Sequence, residues 1–291
     1  MASSDRVRQG PLRRERLAIL ALLALLTVAA WGLTLSQMGA MGGSTSGQGG
    51  ETMGGQAGMA GLAEGAPMGS MAMPLAAETE PGLQLVVFLG TWVVMMAAMM
   101  LPSAAPMILL FGTVYRRQRE QGRAFVPTWV FVTGYLAVWT AFGANVYGLS
   151  LFGADLARTV PSLGALGPRL AALAMLAAGL YQLTPLKERC LAHCRSPLHF
   201  ILEHWRPGMI GALRMGARHG LYCVGCCWVL MLLLIAIGLG SLPWMALTTL
   251  VIFAEKLLPS WQRVSRVVAA ALVGLGLLTL AQPALLQPLM G

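Results

Sequence analysis

Charge is scarce in this chain. Asp, Glu, Lys and Arg make up 11% of its 291 residues, against roughly 25% in an ordinary soluble domain. With 57% hydrophobic residues and a mean hydropathy of +0.69, that scarcity excludes a water-soluble globular domain. Cysteine and histidine are absent everywhere except in one 38-residue window, Cys190 to Cys227, which holds all nine of them. A disulfide framework spread over the chain is therefore excluded, and every soft or borderline side-chain ligand other than methionine is gathered in one place. Neither a Walker A loop nor an aspartyl-phosphorylation motif occurs, so any transport is expected to be passive or proton-coupled rather than ATP-driven. No catalytic residues and no organic cofactor site are assigned.

What is present reads as an all-α integral membrane protein of about seven transmembrane helices, one of them broken by proline. Apolar stretches to be set against a hydrocarbon core of about 30 Å run from Leu17 to Leu35, Gln84 to Val114, Val126 to Leu151, Arg169 to Leu183, Leu221 to Leu239, Ser241 to Ala254 and Val264 to Leu286, the fourth and sixth being short. Lys and Arg accumulate in cytoplasmic loops. With the N-terminus inside, segments 1–16, 115–125, 184–219 and 255–266 hold eighteen of the twenty basic residues, leaving only Arg158 and Arg169 outside. The net charge of +9 is thus a topology signal, and nucleic acid is not an expected partner; the lipid bilayer is. Arg13-Arg14-Glu15-Arg16 ahead of the first apolar run also resembles a secretory signal, but no small-x-small cleavage site follows immediately, so an uncleaved signal anchor is expected.

Three regions follow from this reading: a tail and anchor helix over 1–37, an extracytoplasmic loop over 38–83, and a helical membrane domain over 84–286 with an inner-side Cys/His segment at 184–227. The loop is rich in Gly, Ser and Met and poor in aliphatic residues, too polar to pack a core. It carries Met38, Met41, Met53, Met59, Met68, Met71 and Met73. Thioethers select Cu(I) over harder ions, although drift of composition in a linker gives the same pattern.

In the second membrane stretch Pro102 and Pro106 each remove a backbone donor, which is expected to break the helix at membrane depth. Interrupted helices of this kind line substrate sites in transporters. Met95/Met99 and Met96/Met100 are i, i+4 pairs just before the break, so Met96, Met99 and Met100 are candidate thioether ligands; methionine is also an ordinary filler of apolar cores.

The Cys/His window holds two clusters. Cys190, His193 and Cys194 sit at helical spacing on one face of a short basic helix, and Arg189 and Arg195 flank them, a setting expected to favour thiolates. His219, Cys223, Cys226 and Cys227 are expected to open the fifth membrane helix, with Met231 extending the same stripe. C-x-x-C is the usual two-thiolate bite for Zn or Cu. His199 and His204 read as solvated loop residues. Glu255 beside Lys256 reads either as an interfacial pair or as a carboxylate that joins the site. The candidate metal ligands are thus Cys190, His193, Cys194, His219, Cys223, Cys226, Cys227, Met96, Met99, Met100 and Glu255, for a transition metal that fits Cu(I) best and Zn next.

The runs Met96-x-x-Met99-Met100-Leu101-Pro102-Ser103, Pro185-Leu186-Lys187-x-x-Cys190-x-x-x-Cys194-Arg195-Ser196-Pro197, Gly220-x-Tyr222-Cys223-x-Gly225-Cys226-Cys227-Trp228 and Trp244-Met245 with Glu255-Lys256 resemble a bacterial family of predicted metal-binding integral membrane proteins, a domain of unknown function. The resemblance covers roughly residues 84–258 and implies a helical fold in a bacterial inner membrane and metal binding, with no established reaction. Three function classes stay open: a protein that binds or moves Cu(I), a membrane thiol oxidoreductase, and a chaperone that inserts metal into a partner membrane enzyme. A copper chaperone or a metalloenzyme is the expected protein partner.

Overall fold

The computed structural model describes residues 17–33, 36, 80–122, 126–160, 162–237 and 242–282, and among these every regular element is an α-helix. The helices are α1 (Leu17–Leu33), α2 (Pro81–Glu120), α3 (Thr128–Thr159), α4 (Ser162–Tyr181), α5 (Pro185–Arg195), α6 (Pro197–His204), α7 (Gly208–Ile237), α8 (Leu242–Leu257) and α9 (Trp261–Ala281). The methionine-rich stretch 38–73 lies outside the described residues.

Each of the seven expected apolar stretches is helical over its described residues, but they differ in reach. α2, α3, α7 and α9 are long and apolar enough to cross a membrane. The segment Arg169–Tyr181 continues into α5 across a 61° bend, a fifth crossing if the bent pair is one span. The bend has a local cause: Thr184 precedes Pro185, which lacks a donor and biases its neighbour away from helix, and Thr184 Oγ1 then caps α5 by accepting from Lys187 N at 3.3 Å. α1 and α8 are shorter apolar helices.

The fifth expected helix, placed to start at Leu221, starts at Gly208 instead. Arg214 and Arg218 end the apolar window in the sequence but do not end the helix, because small residues seat this basic first half against α3. A Cβ built at Gly134 of α3 or at Gly216 of α7 would strike backbone of the opposite helix. Such small-residue crossings are how membrane helices approach without a hydrophobic driving force. Consequently the cysteine cluster lies in the middle of α7, not at its mouth.

α2 remains helical through Pro102 and Pro106. The expected interruption therefore takes the form of missing donors within one 40-residue helix. Ser103 Oγ donates to Met100 O at 2.9 Å, so one carbonyl in this stretch gains a side-chain donor. α2 is held to α3 by Trp92, whose indole N–H donates to Trp139 O at 2.9 Å while its ring covers Gly143. Bulky apolar residues such as Val86, Phe152, Leu173, Leu250 and Val267 stay exposed around the bundle, as a lipid-facing surface requires. A single buried cluster joins α2, α3, α5, α6, α7 and α8, and the site lies inside it.

Candidate metal centre

Cys223, Cys226 and Cys227 converge because positions i, i+3 and i+4 share a helix face. Their sulfurs all lie within 4.8 Å of one another, and all three residues are buried. Two sulfurs bound to one ion at about 2.3 Å can be at most about 4.6 Å apart, so the cluster is within a small side-chain adjustment of gripping a single metal. The Sγ atoms of Cys226 and Cys227 each donate to Cys223 O at 3.0 Å, which aims both thiols back toward Cys223.

Around the sulfurs stands a polar shell that is unusual for a membrane core. Lys256 Nζ donates to Cys223 Sγ and to Ser103 Oγ, both at 3.0 Å. The Tyr135 hydroxyl lies 3.1 Å from Cys223 Sγ. A buried ammonium is costly in lipid unless anions or strong acceptors face it. Here the groups it faces are a thiol and a hydroxyl, so the site is built to hold negative charge on sulfur.

α5 brings the second pair of thiols. Cys194 lies beside Cys226, close enough for the two thiols to interact. Cys190 packs against Gly225, where a Cβ would lie 2.7 Å from its Sγ. The Tyr181 hydroxyl donates to Gly225 O, fixing the same stretch of α7. Both α5 cysteines are only half-buried, whereas the α7 trio is sealed. Of the two flanking arginines, Arg195 is committed elsewhere: it donates to Glu255 O at 2.6 Å and lies over the Trp261 ring.

The other expected ligands separate into groups. His219 is buried among Phe131, Tyr135 and Phe200, with Nδ1 lacking a partner, one turn before Cys223 on the same helix. Met96, Met99 and Met100 are fully buried on α2; Met99 and Met100 lie one turn from Ser103, the residue that shares Lys256 with Cys223. Met231 continues the stripe beyond the trio and is buried as well. Glu255 is buried and its carboxylate is engaged by other groups: it pairs with Lys187 at 2.5 Å and accepts from Ser265 Oγ at 2.9 Å. Lys187 also donates to Gln182, which closes this second polar cell. His193 leaves the thiol face altogether, stacking on Tyr222 with ring centroids 4.2 Å apart beside His199 and His204.

Sequence reasoning missed Lys256, Tyr135 and Lys187. For the two lysines a signal was available, since a Lys inside an otherwise apolar helix or fixed beside a C-x-x-x-C pair needs a buried anionic partner. Tyr135 sits in an ordinary aromatic run of α3 and gave none.

Residues 89–279 match the model of a family described as copper chaperone, PpoB2. This is more than half of the chain, and the protein belongs to that family. No curated protein and no solved structure matches it.

Proposed function

We propose that this member of the copper chaperone family is a multi-pass inner-membrane protein that takes up Cu(I), holds it on Cys223, Cys226 and Cys227, and passes it on by thiol exchange. The observation that carries the reading is the sealed three-sulfur cluster with an ammonium against it. Soft thiolates prefer Cu(I) among the ions available to such a site, and low coordination by two or three sulfurs suits it. With two of the three cysteines as thiolates and the third a neutral thiol, bound Cu(I) carries one net negative charge, and Lys256 supplies the compensating positive charge, so the loaded centre is neutral in a medium that penalises net charge.

Entry and exit follow from ligand type and burial. With the N-terminus cytoplasmic, α2 runs inward from its Met96 end, so buried thioethers lie between the outer face and the thiols. Thioethers are the weaker ligands and thiolates the stronger, which favours movement toward the trio. His219, with an unpartnered nitrogen one turn from Cys223, is the candidate fourth ligand. Cys194, half-buried and beside Cys226, offers the route out: it replaces one sulfur of the trio before another leaves, so the ion is never free. A reduced acceptor protein or a membrane copper enzyme is the expected recipient, and the reducing inner side keeps the five thiols available.

The test replaces Cys223, Cys226 and Cys227 together by Ser in the full chain, which keeps volume and removes the soft donor. Metal content of the purified proteins, with free-thiol counting, is the readout. Stoichiometric Cu(I) in the parent and none in the triple variant is expected. Equal copper in both, or a metal-free parent that cycles through a disulfide, overturns the assignment in favour of thiol redox chemistry.

A further inference from the structure

Glu255 is held from both ends of α5. Its carboxylate pairs with Lys187 Nζ at 2.5 Å, and its backbone oxygen accepts from the Arg195 guanidinium at 2.6 Å. The second bond follows from the sequence: the helical donor to this carbonyl would be the N–H of residue 259, which is proline and has none. Ser265 of α9 donates to the same carboxylate oxygen at 2.9 Å, and Gln182, just beyond α4, accepts from Lys187. Both members of the ion pair are 2% exposed.

Between the two grips lie the α5 thiols. Lys187, Cys190, Leu191 and Cys194 recur at helical spacing and share the inward face of α5. Lys187 and Leu191 are its buried residues, so one leucine is the only fully buried apolar side chain that seats this helix. Its register against α7 therefore depends on polar ties. The residue after Glu255 is Lys256, whose ammonium is 3.0 Å from Cys223 Sγ. Two neighbouring residues of α8 thus reach both groups of thiols: Lys256 touches the trio, and Glu255 holds the helix that carries the other pair.

We propose that Glu255 is a positioning residue: through Lys187 and Arg195 it holds Cys190 and Cys194 against the trio, and thereby sets the rate, not the affinity, of metal exchange. The clause about rate rests on the copper reading above; the positioning stands on geometry alone. A reaction between held groups loses roughly 100-fold on a displacement of about 1 Å. The trio lies on one helix and keeps its own spacing when α5 shifts, so its hold on the ion is not altered.

The test uses Lys187→Met/Glu255→Gln in the full-length protein in lipid nanodiscs. This double variant removes the ion pair, leaves no unpaired buried charge and keeps an acceptor for Ser265. Replacing a buried pair by neutral groups is tolerated where removing one partner is not. Ser265→Ala is the control, since it cuts a bond to Glu255 but no tie to α5. In metal-free protein the double variant is expected to react faster than parent and control with a water-soluble maleimide at Cys190 and Cys194, located by peptide mass. After loading with one equivalent of Cu(I), release to excess bathocuproine disulfonate is expected to be roughly 10- to 100-fold slower, at the parent's equilibrium affinity. In a Cys194→Ser background the same two substitutions slow release no further, whereas a general loss of structure would lower affinity and slow that background too. Parental rates in either assay, or a fall in affinity that matches the fall in rate, overturns the assignment. A parent that takes up no Cu(I) sinks the copper reading alone, and the alkylation result then decides the positioning.

Discussion

The ammonium of Lys256 lies 3.0 Å from Cys223 Sγ and 3.0 Å from Ser103 Oγ, so one side chain of α8 ties the thiol cluster of α7 to the proline-containing stretch of α2. Replacing it by methionine keeps length and apolar bulk but removes the charge that a thiolate needs in a buried site. A hydrogen bond to a charged group is worth about 1.5–3 kcal/mol, and each 1.4 kcal/mol is about tenfold in affinity. Lys256→Met is therefore expected to weaken Cu(I) binding by roughly 10–100-fold while the helices still assemble. Competition against a Cu(I) chelator of known affinity measures it. Affinity equal to the parent's removes Lys256 from the site.

At Gly225, α5 packs closely against the helix that carries the cysteine trio. A Cβ there would meet Cys190 Sγ at 2.7 Å and Cys190 Cβ at 3.4 Å, whereas a Cβ at Gly274 meets nothing within 4 Å. Alanine can be absorbed by rotating the Cys190 thiol; valine cannot, and must push α5 outward. Gly225→Val is expected to expose Cys190 and Cys194, so that alkylation by a soluble maleimide quickens, and to slow release of bound Cu(I) to an acceptor, since Cys194 no longer reaches Cys226. The copper capacity of the trio is retained. Gly274→Val serves as the control. Unchanged alkylation and release rates in Gly225→Val would show that the α5 thiols take no part in transfer.

The chemistry of this site was legible in the sequence to the extent that it depends on spacing within one helix. Cys223, Cys226 and Cys227 were found because i, i+3 and i+4 must share a face wherever the helix begins. The start of that helix was not legible: Arg214 and Arg218 lower the local hydropathy, and only the close fit of Gly134 and Gly216 shows why the helix continues through them. The face taken by His193 was hidden for a related reason. It is one residue from Cys194, about 100° around the helix, and its partners His199, Glu203 and His204 lie beyond a Ser-Pro step whose geometry folds α6 back beside α5. The roles of Lys256 and Glu255 depend on contacts across 33 to 153 residues of sequence, which no local pattern encodes.

The methionine-rich stretch, residues 38–73, poses a separable question. Its deletion removes seven thioethers and no thiol, no proline of α2 and no described helix. A Gly- and Ser-rich tether contributes little burial, so the membrane domain is expected to insert and melt as the parent does. If the thioethers collect Cu(I) for the bundle, they act by raising its local concentration, because weak sites on a tether change the effective concentration at the tight site rather than its intrinsic affinity. The deletion should then lower copper capture when external copper is limiting, leave Cu(I) affinity at Cys223, Cys226 and Cys227 unchanged, and be fully compensated by raising external copper. Copper accumulation, or maturation of a copper enzyme, is measured over a range of external copper in cells carrying either form. Coincident curves at every concentration would reduce the methionines to linker composition, and a deficit that persists at saturating copper would assign the loop to delivery rather than collection.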